Sequence, residues 1–134
     1  MFEAMIILLN YIYQRLVTLS GKEVYQEKVP ENETPTYPYL VFSLTVPDRN
    51  VEQDRGFLEI DFWNNTNNLA MLEALVSAVD GNSSWVNPTG LDELRYFSGG
   101  LQAVFYRIFR GTIPDPDIKI RRRQLRYLIK ARFI

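Results

Sequence analysis

Two stretches of the chain carry apolar residues at the spacing of a helix. The first, residues 2–19, predicts a helix that ends at Ser20-Gly21, because glycine readily takes the left-handed conformation that follows a helix. Its apolar arc is wider than one sheet contact needs, which fits either a deeply buried helix or one that also packs on another subunit. The arc comprises Phe2, Met5, Ile6, Leu9, Ile12, Tyr13, Leu16 and Val17.

A second helix is predicted over residues 69–79, and it ends at Asp80-Gly81. Its apolar positions are Leu69, Leu72, Leu75, Val76 and Val79. Four polar residues ahead of it are candidates to cap its first turn, since their side-chain oxygens accept hydrogen bonds from free backbone N–H groups. These candidates are Asn64, Asn65, Thr66 and Asn67.

Alternating apolar and polar positions, rich in β-branched and aromatic residues, predict strands in most of the remaining chain. These strands lie at residues 24–29, 39–46, 55–63, 94–97 and 101–109, with polar connections at 47–56 and 110–117. The clearest alternation is at 55–63. There, Leu58, Ile60 and Phe62 face one way, and the other face is formed by Phe57, Glu59, Asp61 and Trp63.

The last segment, after the turn sequence GTIPDPD, fits two structures. As a strand it places Leu125, Tyr127, Ile129, Ala131 and Phe133 on one face. A helix gives a poorer apolar stripe, although Arg, Gln, Leu and Lys are good helix formers. The strand is the better interpretation, and the helix remains the alternative.

The order of elements is therefore a helix, three strands, a second helix and three strands. Strands that cluster in this way, without alternating with helices, indicate an α+β domain. We predict a single domain over residues 1–134, with a mixed or antiparallel sheet of about five to six strands packed with two helices.

Composition removes several classes of chemistry. The chain has no cysteine and no histidine. Disulfides, thiolate zinc sites, thiol catalysis and every Ser-His-Asp arrangement are thereby excluded. We expect no enzyme activity and no catalytic residue, cofactor or metal. The apolar run Ala4–Leu9 is too short to span a bilayer, so a reducing cytosol is the default compartment.

Charge is distributed unevenly along the chain. Residues 1–118 hold all 16 acidic residues and 8 of the 15 bases, whereas residues 119–134 hold the other seven bases and no acid. Such a division predicts one of two arrangements. Either the basic C-terminal segment pairs with acidic residues in the rest of the chain, or it forms a basic surface that meets a polyanion or an acidic partner. Two interpretations of the basic terminus stay open: contact with nucleic acid, or an edge strand whose charges prevent aggregation.

Two carboxylate pairs are candidates for acid–base or cation-binding chemistry. Glu59 and Asp61 share a strand face, and Asp115 and Asp117 lie in a proline-spaced turn. Neither pair has a third ligand or a basic partner specified nearby. We therefore interpret both as acids exposed to water.

Several segments in this order resemble one protein family. They are the apolar first helix, the approach to a strand in VYQEKVPENETPTYPYLVFSL, the sequence GFLEIDFWNNTNN before an amphipathic helix, and a closing strand after a proline turn with an arginine run. Together they resemble the tail terminator, or tail completion, proteins of long-tailed bacteriophages (siphophages). The likeness covers nearly the whole chain and includes its size.

The resemblance implies a structural role in a virion. In that family, α+β subunits close into a hexameric ring that caps the finished tail tube, stops its polymerisation and offers the surface to which the head docks. The implied partners are further copies of the chain, the tail tube protein and a head connector or stopper protein. Double-stranded DNA passes through the lumen of the ring without its sequence being read, and no membrane is involved. The ring is assembled in the host cytoplasm and sits at the head-proximal end of the tail.

Charged residues in the basic terminus and the two polar connections are the candidate interface. They are Arg121, Arg122, Arg123, Arg126, Lys130, Arg132, Asp48, Arg49, Glu52, Asp54, Arg55, Asp115 and Asp117. The alternative function is a small nucleic-acid-binding module that uses the basic C-terminal strand, and a hydrolase is a distant third.

Overall fold

The computed structural model describes residues 2–49 and 54–133, which form two helices and six strands. The helices are α1 (Phe2–Ser20) and α2 (Leu69–Asp80). The strands are β1 (Glu23–Gln26), β2 (Tyr39–Arg49), β3 (Asp54–Asn64), β4 (Arg95–Ser98), β5 (Leu101–Ile113) and β6 (Arg121–Phe133). The predicted α+β class and the order of elements are confirmed.

The strands form one mixed sheet in the order β1-β2-β3-β6-β5-β4. Only the β1–β2 pair is parallel among these described strands. The last segment is a strand, as its period-two pattern predicts. It is not an edge strand, because it pairs with β3 on one side and with β5 on the other. The interpretation of the basic terminus as a protective edge is therefore wrong.

The core lies between the two helices and one face of the sheet. Alternate strand residues such as Leu58, Ile60 and Phe62 are fully buried there, together with Ile12 and Leu16 of α1. Because successive strand side chains point to opposite faces, the residues between them form a second face that no described helix covers. We call this second face the open face.

Helix α1 is neither buried all round nor covered on its whole apolar arc. Ile12 and Leu16 are fully buried, whereas Ile6 is 44% exposed and Tyr13 is 40% exposed. The deeply buried interpretation of this helix is therefore wrong for its outer side. Neither described helix is long and apolar enough to cross a membrane.

Strand ends differ from the sequence prediction because backbone pairing continues past the apolar segments. β2 reaches Arg49 and β3 begins at Asp54, so both extend into the predicted connection 47–56. A register shift between Thr45 and Asp48 accommodates this extension. Likewise β5 reaches Ile113, inside the predicted connection 110–117, whereas β1 is shorter than predicted and ends at Gln26.

The cap of α2 and two glycine positions are local features that the fold requires. Asn68, not one of the four predicted residues, accepts a hydrogen bond from the backbone N–H of Met71 and is the N-cap. Gly99 and Gly100 both have positive φ, of 56° and 86°, which suits the two-residue turn between β4 and β5.

Candidate interaction surface

The structure separates the predicted interface residues into two groups, which lie at opposite ends of the central strands. The first lies around the start of β6 and comprises Arg121, Arg122, Arg123, Asp115 and Asp117. The second lies where the β2–β3 pair meets the end of β6 and comprises Asp48, Arg49, Asp54, Arg55, Lys130 and Arg132. Arg126 lies between the groups, and Glu52 lies outside the described residues.

Two arginines at the start of β6 point toward the helices and tie the sheet to neighbouring elements. The guanidinium of Arg123 donates a hydrogen bond to the carboxylate of Glu73 in α2. That of Arg121 donates to the side-chain oxygen of Asn67 at 3.0 Å and to the backbone carbonyl of Ile118. These bases therefore make contacts within the subunit.

Arg122, between them, points to the open face and is enclosed there. Its guanidinium lies 4.0 Å from the centre of the Trp63 ring, 3.5 Å from a carboxylate oxygen of Asp61 and 3.9 Å from one of Asp115. Its side chain is 19% exposed and that of Asp115 is 13% exposed. The expectation that Asp115 faces water is therefore wrong, whereas Asp117 is exposed as predicted.

Aromatic rings continue this contact across the sheet as a row. Trp63 stacks on Tyr39 with ring centres 6.1 Å apart, and Tyr39 meets Tyr25 edge to face at 6.0 Å. The row with Arg122 spans β1, β2, β3 and β6. Stacked rings and an enclosed guanidinium stabilise this end of the open face.

The middle of β6 is also partnered. Arg126 donates to the side-chain oxygen of Gln124 at 2.7 Å and lies 3.6 Å from Glu59. Gln124, only 6% exposed, donates in turn to Asp61 at 2.9 Å. Asp61 is therefore part of an internal polar network, and its interpretation as a water-facing acid is wrong.

The far half of β6 has a different environment. Lys130 and Arg132 are exposed, and the Lys130 ammonium lies 5.8 Å from the centre of the Tyr106 ring. The register across β6, β5 and β4 aligns Lys130 with Arg95 through Val104. Among the side chains that the structure describes, which do not include those of residues 46–54, no carboxylate lies within 4.0 Å of these three bases.

Exposed aromatic rings accompany these bases. Phe97 in β4 and Trp85 in the 81–90 loop are each 62% exposed, and the Arg95 guanidinium lies 5.4 Å from the Trp85 ring centre. We name Trp85, Arg95, Phe97, Lys130 and Arg132 the basic edge. The prediction missed its β4 side, although a tryptophan in the polar stretch GNSSWVNPTG is a signal that could have indicated it.

The prediction also missed a buried acid on the helix side of the sheet. Asp80, at the end of α2, is 1% exposed. It accepts a hydrogen bond from the Tyr127 hydroxyl at 2.6 Å and is paired with Arg107, while Arg110 lies 3.4 Å away. Asp92 contributes by accepting a bond from the backbone N–H of Arg107 at 2.9 Å. The network fixes α2 to β5 and β6.

Burial and hydrogen bonding shift the pKa of groups on the helix side of the sheet and at its β1 edge. Burial, reinforced by the hydrogen bond to Asp80, raises the pKa of Tyr127 well above its usual value. The hydrogen bond from Arg123 lowers the pKa of Glu73. At the β1 edge of the sheet, the hydrogen bond from Tyr25 to Glu23 raises the pKa of Tyr25 to about 12.

A groove with a volume of about 620 Å³ lies between α2 and β5. Its charged lining consists of Glu73, Arg107, Arg110 and Arg123. Because the arginines already contact Glu73 or Asp80, they serve internal packing and not an empty anion site. No group of three or more metal-ligating side chains occurs in the part of the chain that the structure describes.

No protein-family model matches this chain, and no curated protein matches it either. Solved structures do share its fold. One superposes with a TM-score of 0.60 at 15% identity, over 92% of each chain. Another belongs to the virion of a native gene transfer agent particle, with a TM-score of 0.57 at 16% identity over 90% of each chain. The likeness at these identities establishes a common fold.

Proposed function

We propose that this chain is a structural protein of a virion and that it closes the end of a tail tube as a ring. The observation that carries the proposal is the fold shared with a chain of the gene transfer agent virion, which covers 90% of both chains. The sequence resemblance to phage tail terminators supports it independently, because that resemblance rests on residue patterns along the chain.

In this role the subunit works through surfaces alone. A hexameric ring of copies caps the finished tube, stops the addition of tube subunits and offers its other side to the head connector or stopper. Double-stranded DNA passes through the lumen unread. The protein is assembled in the host cytoplasm and sits at the head-proximal end of the tail. The exposed apolar residues of α1 and the basic edge supply surfaces for such contacts.

The alternative, a nucleic-acid-binding module, is less well supported. Of the basic residues on β6, Arg122, Arg123 and Arg126 already have carboxylate partners in the subunit. Phosphate binding by any of them would therefore compete with an existing ion pair. The basic edge, however, has exposed bases that a nucleic acid can reach.

The test is the length of tail tubes assembled with and without the protein. Purified tube subunits of the same virion are polymerised in both conditions, and lengths are measured by electron microscopy. We expect the protein to bind tube ends and limit tube length, and a ring to appear by native mass spectrometry when tubes are present. Tubes of equal length in the two conditions contradict the proposal.

The alternative is tested by binding of double-stranded DNA at low and high salt. The double variant Lys130→Ala/Arg132→Ala is preferable to substitutions at 121–123, because the latter also break contacts inside the subunit. DNA binding that falls steeply with salt, and is lost in the double variant, favours the alternative function. Weak DNA binding that is equal in the natural chain and in the double variant favours the virion role.

A further inference from the structure

The two edge strands of the sheet have matching lengths and directions. β1 and β4 are each four residues long and stand at opposite ends of the strand order. Following the pairings from β1 through β2, β3, β6 and β5 shows that β1 and β4 run in the same direction. A second copy in the same orientation would therefore bring its β4 alongside β1 as a parallel neighbour.

Side by side, the two strands are complementary position by position. Glu23 at the start of β1 corresponds to Arg95 at the start of β4, and both are exposed. On the same open face, Tyr25 corresponds to Phe97, which is 62% exposed. An ion pair and an aromatic contact would thus form along one line, and these are pairs that stabilise neighbouring strands.

The surroundings of the two strands extend this charge match. Near β1 lie four exposed carboxylates, with Lys22 and Lys28 as the exposed bases among them. We name these carboxylates the acidic edge: Glu23, Glu27, Glu31 and Glu33. The basic edge offers Arg95, Lys130 and Arg132, and its sequence neighbour Glu93 is half-buried. Opposite charges at the two ends of one molecule favour contact between unlike ends.

We propose that the basic edge of one copy of this chain docks against the acidic edge of the next, with β4 beside β1. The inference rests on the proposed ring, and it names the surfaces through which the copies meet. Such a contact joins two different patches, so repeated copies form a closed ring where the rotation between them closes. Contact between two like edges is opposed, because it would bring together the carboxylates of two acidic edges or the bases of two basic edges.

Engineered cysteines test this contact directly, since the natural chain has no cysteine to interfere. Gln26→Cys marks the end of β1 and Ser98→Cys marks the end of β4, and both native residues are exposed. Parallel neighbouring strands lie about 4.8 Å apart, within the reach of a disulfide. We expect a mixture of the two single variants to form covalent dimers under oxidation, and the double variant to form longer ladders.

Charge reversal shows whether the match in charge holds the edges together. We expect Arg95→Glu in the Ser98→Cys chain to reduce the mixed dimer several-fold, and Arg95→Lys to preserve most of it. The matched control is Lys119→Glu, which makes the same change in net charge at an exposed position outside both edges. Thermal melts of each variant establish that the subunits remain folded.

Three outcomes overturn the inference. The first is an equal yield of dimers from either single variant alone, which indicates contact between like edges. The second is the absence of mixed dimers at high protein concentration. The third is salt-sensitive capture of a DNA oligonucleotide by Arg95, Lys130 and Arg132 without mixed dimers, which makes nucleic acid the occupant. Mixed dimers with unchanged tube lengths would uphold this contact and contradict the tube-capping role, while shorter tubes without mixed dimers would do the reverse.

Discussion

Both halves of β6 are basic, but they play different parts in the molecule. In the first half, Arg122, Arg123 and Arg126 each face a carboxylate from another element. In the second half, Lys130 and Arg132 stand exposed on the open face, and no carboxylate lies within 4.0 Å of them among the described side chains, which leave out residues 46–54. One strand thus contains both internal ties and an exposed basic surface.

The difference arises from what lies across the sheet. The first half runs beside Asp61 of β3 and close to Glu73 of α2, so its side chains meet acids. On the open face, Lys130 in the second half has Val104 and Tyr106 of β5 on one side and Arg55 of β3 on the other. Basic residues of one strand are therefore not equally available to a partner.

The largest expected effect is at the buried acid that ties α2 to β5 and to the middle of β6. Asp80→Ala removes the partner of Tyr127 and Arg107 in a site that is 1% exposed. We expect a loss of about 3 kcal/mol in the free energy of unfolding, measured by urea denaturation. Asp117→Ala, at an exposed turn, is the control and should cost well under half as much. Equal losses would show that the Asp80 network does not anchor the strand.

The tyrosine in this network predicts a dependence on alkaline pH. Tyrosines of the unfolded chain ionise near pH 10, whereas the raised pKa keeps Tyr127 protonated in the folded protein. The contribution of Tyr127 to the free energy of unfolding is therefore fully present below about pH 10 and decreases as the pH rises above that value. Tyr127→Phe should cost about 1–2 kcal/mol at pH 8 and flatten the alkaline decline. Tyr13→Phe, at a tyrosine of α1 that is 40% exposed, is the comparison and should leave the decline in place. A decline that remains unchanged in Tyr127→Phe would contradict this account.

Arg122 tests whether the enclosed bases are structural. In a Trp85→Phe background, Trp63 is the one remaining tryptophan, so its fluorescence reports this contact. Arg122→Ala should lower stability by about 1–2 kcal/mol and shift the emission of Trp63, because the ring loses the guanidinium above it. Arg122→Lys should restore only part of the stability. If the fluorescence spectrum of Trp63 and the midpoint of unfolding are both unchanged in Arg122→Ala, Arg122 has no structural role in the subunit.

The smallest effect on stability is expected in the second half of the strand. Lys130→Ala/Arg132→Ala should change the free energy of unfolding by no more than about 0.5 kcal/mol, as at other exposed surface positions. Its effect should appear in association between copies, measured by the mixed cysteine dimer. A loss of stability as large as that in Arg122→Ala would remove the distinction between the two halves.

Local pattern was enough to predict most of the fold. The alternation at 55–63 predicted which side chains of β3 are buried, and the same period identified β6 as a strand. Periodicity works here because one face of each strand is buried and the other is not. Strand ends were less predictable, since pairing along β2 and β3 continues through polar residues that carry no apolar signal.

The site was only partly predictable. Charge counting identified the basic terminus and the acidic body, and their match is visible in the pairs of Glu73 with Arg123 and of Glu59 with Arg126. It could not distinguish Arg122 from Lys130, because distance along the chain says nothing of which residues lie across a sheet. Arg95 and Phe97 entered the surface only through the register of β4 with β5.

The sequence by itself determined the class of fold, the absence of cysteine and histidine chemistry, and the concentration of bases after residue 118. These follow from composition and from short-range periodicity. The tertiary structure decided that β6 is central, that Asp80 is buried under it, and that the sheet ends in one acidic and one basic edge. Strand order depends on pairings between residues far apart in the chain, and those pairings determine which charges are neutralised and which remain available to a neighbour.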